Sequence, residues 1–212
     1  MITDFEDILF VDAAGERLKM ARRGANGRIA AALTNAAAME DFFEALAQIA
    51  PDPAQIEAFA LCTGTGSILG TRVASVGIST VAKFLGAKIF EWNCMEVAAF
   101  ALADAGHKRF SLFTPSRKGF ANILNFDGKP LELKEIETGK IAAEAFDKRF
   151  SLYQKTKTDP IFSTFERFDL DEKTALETIL KYPHLACECC DTPDAKPLTE
   201  REYVKWKGQA HI

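Results

Sequence analysis

Histidine is scarce in this chain of 212 residues, which contains only three: His107, His184 and His211. None of them lies three or four residues from another, so the HxxxH and HExxH pairs that bind catalytic zinc on a helix are absent. This absence argues against a metallopeptidase, and no metal site is predicted from histidine.

Cysteine is also sparse, and its number, five, is odd. An odd count without an export signal predicts reduced thiols rather than a disulfide framework. Cys187, Cys189 and Cys190 follow His184 closely, and thiolates with imidazole are zinc ligands. Their adjacent and alternating spacing lacks the paired CxxC pattern of zinc sites, so we favour incidental thiols near a strand and leave their role open.

A basic amino terminus and a long apolar run are both missing from the start of the chain, MITDFEDILF. This predicts neither a signal peptide nor a membrane helix, and a cytoplasmic location is expected. The net charge of -4 gives no general attraction to nucleic acid. Residues 107–157 are locally basic, with 11 Lys and Arg against 6 Asp and Glu. A solvated surface is the favoured interpretation, and contact with RNA is left open.

The most informative stretch is a glycine-rich segment, Gly64–Arg72, that follows the apolar run Phe59–Cys62. Together they predict a strand, a tight loop and a helix. Gly64 and Gly66 would permit a positive φ and a close backbone approach, and Ser67 could cap the helix. Backbone N–H groups at a helix N-terminus suit an anion, and the same loop also suits close packing of helix on strand.

Two phosphate-binding motifs resemble this segment without matching it. A P-loop needs Lys after its last glycine, whereas Gly70 is followed by Thr71, so Walker A is excluded. The dinucleotide fingerprint GxGxxG would need glycine where Leu69 stands. Glu91 nevertheless stands near the expected ribose-binding position, so a kinase-like or dinucleotide-dependent enzyme is kept as the alternative function.

As a block, GTGSILGTR resembles GPGSFTGLR, the signature of the bacterial TsaB (YeaZ) family. The resemblance continues into Ile56–Ala60 before the loop, into Leu85–Ile89 after it, and into Glu202–Lys207 near the end, about half of the chain in all. The positions of the signature loop that match are Gly64, Gly66, Ser67, Gly70 and Arg72.

The resemblance implies an α/β fold of the actin-like ATPase (ribonuclease H-like) class. Its N-terminal lobe, residues 1–106, would be well formed, and its C-terminal lobe, residues 107–212, reduced. In that superfamily the first strand is followed by Asp with hydroxyl residues that hold metal and phosphate. Asp12 is present as a possible nucleotide-binding residue, but Ala13 and Ala14 cannot donate a hydroxyl hydrogen bond. The phosphate loop is therefore expected to be disabled, and no catalytic residue is predicted.

The function that the resemblance implies is that of a non-catalytic scaffold. TsaB proteins belong to the bacterial machinery that installs threonylcarbamoyl on N6 of adenosine 37 in tRNAs reading A-starting codons. The expected partners are a catalytic TsaD-like paralogue and a TsaE-like ATPase, with a homodimer when the chain is alone and with tRNA reached only through the complex. No cofactor is expected, since ATP or ADP would bind only within the complex.

Periodicity and turn residues predict the elements around the loop. A three-stranded meander with an Asn26-Gly27 turn should open the chain, and no internal repeat is visible. The predicted strands are Ile8–Val11, Arg17–Ala21, Arg28–Leu33, Phe59–Cys62, Ala87–Phe90, Phe110–Phe113 and Phe120–Phe126. The predicted helices are Ala36–Ile49 (capped by Thr34-Asn35), Ser67–Leu85, Cys94–Ala105, Thr138–Phe146 and Glu172–Lys181.

The first two predicted helices carry more large apolar residues than one face against a sheet requires. A leftover apolar face on a helix pair is typical of an association site, where two pairs meet as a four-helix bundle. We expect Phe43 rather than Phe42 to face outward, although periodicity does not separate them. The predicted partner interface comprises Met39, Phe43, Leu46, Val73, Val76, Thr80 and Phe84.

Overall fold

A computed structural model describes residues 1–15, 17–33, 38–152, 160–189 and 193, with the backbone alone at 33 and 38–40. The predicted cap at Thr34-Asn35, Cys190 and the family-like tail Glu202–Lys207 lie outside the described residues.

Eleven strands and five α-helices make up the described part of the chain. The strands are β1 (Ile8–Asp12), β2 (Lys19–Arg23), β3 (Ile29–Leu33), β4 (Ala58–Cys62), β5 (Lys88–Trp92), β6 (Arg109–Pro115), β7 (Phe120–Asp127), β8 (Pro130–Glu137), β9 (Arg149–Ser151), β10 (Glu166–Arg167) and β11 (Ala186–Cys189). The helices are α1 (Ala38–Ile49), α2 (Ile68–Leu85), α3 (Cys94–Asp104), α4 (Ile141–Glu144) and α5 (Glu172–Lys181).

The first sheet has the strand order β11-β5-β4-β1-β2-β3. Its β1, β2 and β3 form the predicted antiparallel meander, whose Asn-Gly turn places Gly27 at φ 74°. β4 and β5 then run parallel to β1. A meander followed by parallel strands on the other side of β1 is the arrangement that a ribonuclease H-like lobe requires, so this prediction is confirmed.

The second sheet repeats this arrangement in a smaller form, with the order β10-β9-β6-β7-β8. β6, β7 and β8 form an antiparallel meander, and β9 and β10 continue parallel to β6. β9 and β10 contain only 3 and 2 residues, and α4 only 4. The reduced size predicted for the second lobe stays a prediction, but the topology of this sheet contains a repeat that the sequence does not reveal.

Five layers stack in the order helices, sheet, helices, sheet, helices. Side chains alternate along β1, so that Leu9 and Val11 pack beneath α1 and α2, whereas Ile8 and Phe10 point to the opposite face. That opposite face shares one core with α3, α5 and the inner face of the second sheet. A third cluster, which includes Ile141 of α4, covers the outer face of the second sheet.

Several elements differ from the prediction. β2 begins and ends two residues later than expected, because it covers the residues that pair with β1, from Lys19 opposite Asp12 to Arg23 opposite Ile8. Arg22 near its end forms a two-pronged ion pair with buried Asp7, at 2.7 and 2.8 Å. The hydrogen bonds from Arg22 to this carboxylate also raise the pKa of the guanidinium.

β8 to β11 were not predicted. Since β11 pairs with β5, the chain returns to the first sheet after residue 107, and the proposed lobe boundary stays a prediction.

α2 is the one described helix that is long and apolar enough, by length and composition, to cross a membrane. In this structure 33% of its residues are buried against the rest of the chain. One such helix is weak evidence for a membrane span, because only its length and composition meet the criterion.

Candidate functional site

The signature loop joins β4 to α2, and Ser67 is the residue that starts the helix. Its hydroxyl accepts a hydrogen bond from the backbone N–H of Gly70 at 3.2 Å, and its carbonyl accepts the N–H of Thr71 at 3.0 Å. The predicted N-cap is therefore confirmed. It fixes the entry of α2 by satisfying N–H groups that the helix itself cannot pair.

The glycines of the loop are needed for close packing and not for a left-handed backbone. None of Gly64, Gly66 and Gly70 has a positive φ, so that part of the prediction is wrong. A Cβ on Gly66 would instead lie 2.1 Å from the carbonyl oxygen of Ala14, and one on Gly70 would lie 2.4 Å from that of Ala13. Both obstacles are backbone atoms, so they cannot move aside as a side chain can.

The loop is bonded to the turn that follows β1. The backbone N–H of Ser67 donates to the carbonyl of Ala14 at 2.7 Å. Asp12 is buried at the start of that turn, and its Oδ1 accepts the N–H of Ala14 at 2.9 Å. One carboxylate oxygen of Asp12, the predicted nucleotide-binding residue, thus accepts a hydrogen bond within its own turn. The two residues that follow, Ala13 and Ala14, are buried and have no hydroxyl group.

A third segment closes the other side of the loop. Asn93 caps α3 by accepting the backbone N–H groups of Met95 and Glu96, at 2.9 and 3.4 Å. A Cβ on Gly64 would lie 2.3 Å from Nδ2 of this Asn93. The signature loop is consequently held between the turn after β1 and the beginning of α3.

A direct hydrogen bond connects this loop to the second lobe. Thr114, fully buried near the end of β6, donates its hydroxyl to Oγ1 of Thr65 at 3.2 Å. Asn122 on β7 donates to Thr114 at 3.1 Å. The sequence analysis missed both residues, although polar residues within apolar strands are a usable signal. The hydrogen bond between Thr114 and Thr65 therefore joins the second sheet to the signature loop.

Two buried thiols lie beside the loop. Burial first, and then the contact with Cys94 and the charge of Asp12, raises the pKa of Cys62 well above its usual value. Its thiol therefore stays protonated at neutral pH, which makes it a poor nucleophile. Cys94 lies 3.6 Å from Oγ1 of Thr65. Both thiols are fully buried and therefore have a packing role.

The C-terminal cysteines lie elsewhere, on β11. Cys187 is exposed and Cys189 half-buried, at the edge of the first sheet. Within the part of the chain that the structure describes, no group of three or more His, Cys, Asp or Glu side chains could hold a metal ion.

The second candidate site is the outer surface of α1 and α2, which we call the α1–α2 face. Phe43 is 65% exposed, Val76 63% and Phe84 89%. Phe42, in contrast, is 3% exposed, so the expectation that Phe43 faces outward is correct. Leu69 of α2 is also 61% exposed, and the sequence analysis did not include it in the predicted interface.

An open groove of about 390 Å³ runs along the α1–α2 face between the two helices. The helices are in close contact at its floor, because a Cβ on Gly77 would lie 2.6 Å from the ring of Phe42. The residues that line it are Phe42, Phe43, Arg72, Val73, Val76, Gly77 and Thr80.

Not every predicted interface residue lies on this face. Leu46 is 6% exposed and belongs to the core under α1, so its place in the predicted surface is corrected. Val73 is half-buried in the groove, and Thr80 is exposed with its hydroxyl donating to the carbonyl of Val76 at 2.8 Å. The side chain of Met39 lies outside the described residues.

Comparison with known proteins gives a clear result at the level of the fold alone. No family model and no curated protein matches the sequence. Among solved structures, an uncharacterized protein from Pseudomonas aeruginosa with similarity to peptidase YeaZ matches with a TM-score of 0.69 and 12% identity, over 92% of this chain and 100% of its own. YeaZ from Pseudomonas aeruginosa matches with a TM-score of 0.67 and 13% identity, over 87% and 96%. The chain therefore has the fold of the YeaZ (TsaB) proteins, as its signature loop predicts, at the low identity of a divergent relative.

Proposed function

We propose that this chain is a non-catalytic member of the TsaB family and the scaffold subunit of a bacterial complex that installs threonylcarbamoyl on N6 of adenosine 37 of tRNA. In this role it binds and organises a TsaD-like paralogue, with a TsaE-like ATPase joining the complex in the cytoplasm. Without the paralogue it pairs with itself, and it reaches tRNA only through the complex.

The observation that carries this proposal is the α1–α2 face. Four large apolar side chains, Phe43, Leu69, Val76 and Phe84, are all more than 60% exposed on two adjacent helices. Exposed apolar surface of this kind is a common mark of a protein association site. Two such helix pairs can bury each other's apolar surface as a four-helix bundle.

The non-catalytic part of the proposal is supported by the signature loop. Ala13 and Ala14 stand where a phosphate-binding turn needs hydroxyl groups, and their carbonyls lie against Gly70 and Gly66. The hydrogen bond between Thr114 and Thr65 links the lobes beside them. These contacts give the loop a structural role, in which small residues let three backbone segments meet.

Substitution of the α1–α2 face tests the scaffold role. In the double variant Val76→Glu with Phe84→Glu, both changed side chains are exposed, so the fold should be retained. Binding would bury two charges without partners, which costs several kcal/mol. We expect size-exclusion chromatography to show a monomer, and a pull-down with a purified TsaD-like paralogue to show no capture.

Leu131→Glu provides the matched control, since Leu131 is an exposed apolar residue on the second sheet, far in the fold from α2. This variant should pair and capture the paralogue as the native chain does. A folded double variant that still forms both complexes would overturn the assignment of this surface.

The alternative, a nucleotide-binding enzyme that uses the Gly64–Gly70 loop, makes a different prediction. A nucleotide present at about 100 times its dissociation constant would stabilise the chain by about 2.7 kcal/mol. We expect no change in melting temperature with ATP, ADP or NAD, and no ATP hydrolysis by the isolated chain. Hydrolysis that is lost in Asp12→Ala would favour the enzyme over the scaffold.

A further inference from the structure

Two buried thiols lie against each other at the carboxyl ends of the central parallel strands. Cys62 is the last residue of β4 and pairs with Trp92, the last residue of β5, and Cys94 begins α3 two residues later. Both cysteine side chains are 0% exposed, and the thiol of Cys62 contacts that of Cys94. The fold therefore brings together two cysteines that are distant in the sequence.

The same two thiols contact successive residues of the signature loop. Cys62 donates to the carbonyl of Gly64 at 3.8 Å, and Cys94 donates to the carbonyl of Thr65 at 3.5 Å. Oγ1 of Thr65 also lies 3.6 Å from the sulfur of Cys94, and it accepts the hydroxyl of Thr114 in the second sheet at 3.2 Å. A covalent bond between the two sulfur atoms would therefore form within the contacts that hold this loop.

Packing alone does not distinguish a cysteine from another small apolar residue. A buried free cysteine packs as a small hydrophobic side chain, and its reactivity is the property that alanine or valine does not share. Two thiols in contact can be joined by oxidation, whereas cysteines whose side chains point apart cannot be joined without backbone movement. The pair at the signature loop thus has a capacity that its packing does not use.

We propose that Cys62 and Cys94 form a disulfide within one chain when the protein meets hydrogen peroxide, and that this bond fixes the signature loop between β4 and α3. The reduced pair is the resting state, in which the loop is held by non-covalent contacts alone. Hydrogen peroxide is uncharged and close to water in size, so a brief local opening of the loop is enough to admit it.

The reaction proceeds in two steps, and Cys94 reacts first because burial and the charge of Asp12 make Cys62 the poorer nucleophile. The sulfur of Cys94 attacks one peroxide oxygen, the S–O bond forms, the O–O bond breaks, and the thiol proton leaves with the other oxygen as water. The sulfur of Cys62 then attacks the sulfenic sulfur of Cys94. The S–S bond forms, the S–O bond breaks, and a second water leaves with the proton of Cys62. Proximity favours this second step, because the two thiols are held in contact.

Mass spectrometry of the full-length chain tests the proposal. The folded chain is treated with hydrogen peroxide, alkylated in denaturant without reductant, and digested. We expect a pair of peptides joined through Cys62 and Cys94, which dithiothreitol separates. The proposal is overturned if both thiols are still alkylated under conditions that oxidise the exposed Cys187, or if they become sulfinic acids without a linked peptide.

A variant that keeps only the buried pair gives an independent measurement. With Cys187→Ser, Cys189→Ser and Cys190→Ser combined, Cys62 and Cys94 are the two cysteines that remain, and the intact mass should fall by two hydrogens on oxidation. The melting temperature should rise by roughly 5 to 15 °C, because the bond restricts the unfolded chain, and reductant should reverse this rise.

Cys94→Ala in the same background is the matched control, and Cys62→Ala replaces it if that variant does not fold. Neither chain can form the bond, so peroxide should cause no reversible change in melting temperature. A melting temperature of the two-cysteine variant that peroxide leaves unchanged overturns the proposal. A reversible rise that persists in the single-cysteine control overturns it equally, because the bond is then not its cause.

Discussion

At the scale of single residues, the signature loop depends on the absence of a side chain. Gly66 does not have a positive φ, so a left-handed backbone is not the reason for glycine at this position. The obstacle is the carbonyl oxygen of Ala14, 2.1 Å from the position of a Cβ. Contact at this distance forces the loop and the turn after β1 apart, and it weakens the hydrogen bond from Ser67 to Ala14.

We therefore expect Gly66→Ala to lower the free energy of unfolding by about 1 to 3 kcal/mol, measured by urea denaturation. Gly139→Ala is the matched control, because no heavy atom lies within 4 Å of the position that its Cβ would take and its φ is not positive. This variant should be close to neutral. An unchanged stability of Gly66→Ala together with lost binding of a nucleotide would instead make the loop a ligand site.

At the scale of secondary-structure elements, the packing of α1 on α2 includes a close contact at a glycine. Gly77 of α2 admits the ring of Phe42, whose Cε1 would lie 2.6 Å from an added Cβ. In a helix interior, alanine normally stabilises by about 0.5 to 1 kcal/mol relative to glycine. Whether Gly77→Ala raises or lowers the free energy of unfolding therefore shows whether the two helices are in contact at this position.

We expect Gly77→Ala to destabilise the chain, in spite of its better helix propensity. In the background Phe42→Leu, where the ring is absent, the same substitution should cost less, with a coupling energy of about 0.5 to 3 kcal/mol in a double-mutant cycle. Thermal or urea denaturation of the four proteins measures this coupling. A stabilising Gly77→Ala in the native background would contradict the packing.

At the scale of the whole molecule, the two sheets are joined by a shared core. The cluster around α3 contains Phe10 and Trp92 of the first sheet together with Phe110 and Phe150 of the second. β11 also connects the two sheets through the backbone, because the chain returns to the first sheet after it has formed the second. Unfolding of either lobe would therefore expose the inner face of the other lobe's sheet to solvent.

This shared core predicts that the chain unfolds in one transition. Phe110→Ala, a substitution in the second sheet, should cost about 3 to 5 kcal/mol and shift the transition seen by tryptophan fluorescence as far as that seen by far-UV circular dichroism. The exposed Leu131→Ala should shift neither by much. Two separate transitions would instead support lobes that fold independently on either side of residue 107.

The sequence by itself determined the opening meander and the strand, loop and helix around the glycine-rich segment. The apolar run Ile8–Val11, the Asn26-Gly27 turn and the apolar spacing of α2 depend on neighbours in the chain, and each forms the predicted element in the structure. The matches at Gly64, Gly66 and Ser67 also predicted the fold, because a loop this tight tolerates few other residues.

Tertiary structure decided the features that depend on residues distant in the sequence. The short strands β9 to β11 form because partner strands already stand beside them, and their own propensity is too weak to predict them. Whether Phe42 or Phe43 faced outward was settled by Gly77 on another helix, and Leu46 was drawn into the core beneath α1. The reason that Gly66 must be glycine lies in Ala14, which is 52 residues away in the sequence and in contact only after folding.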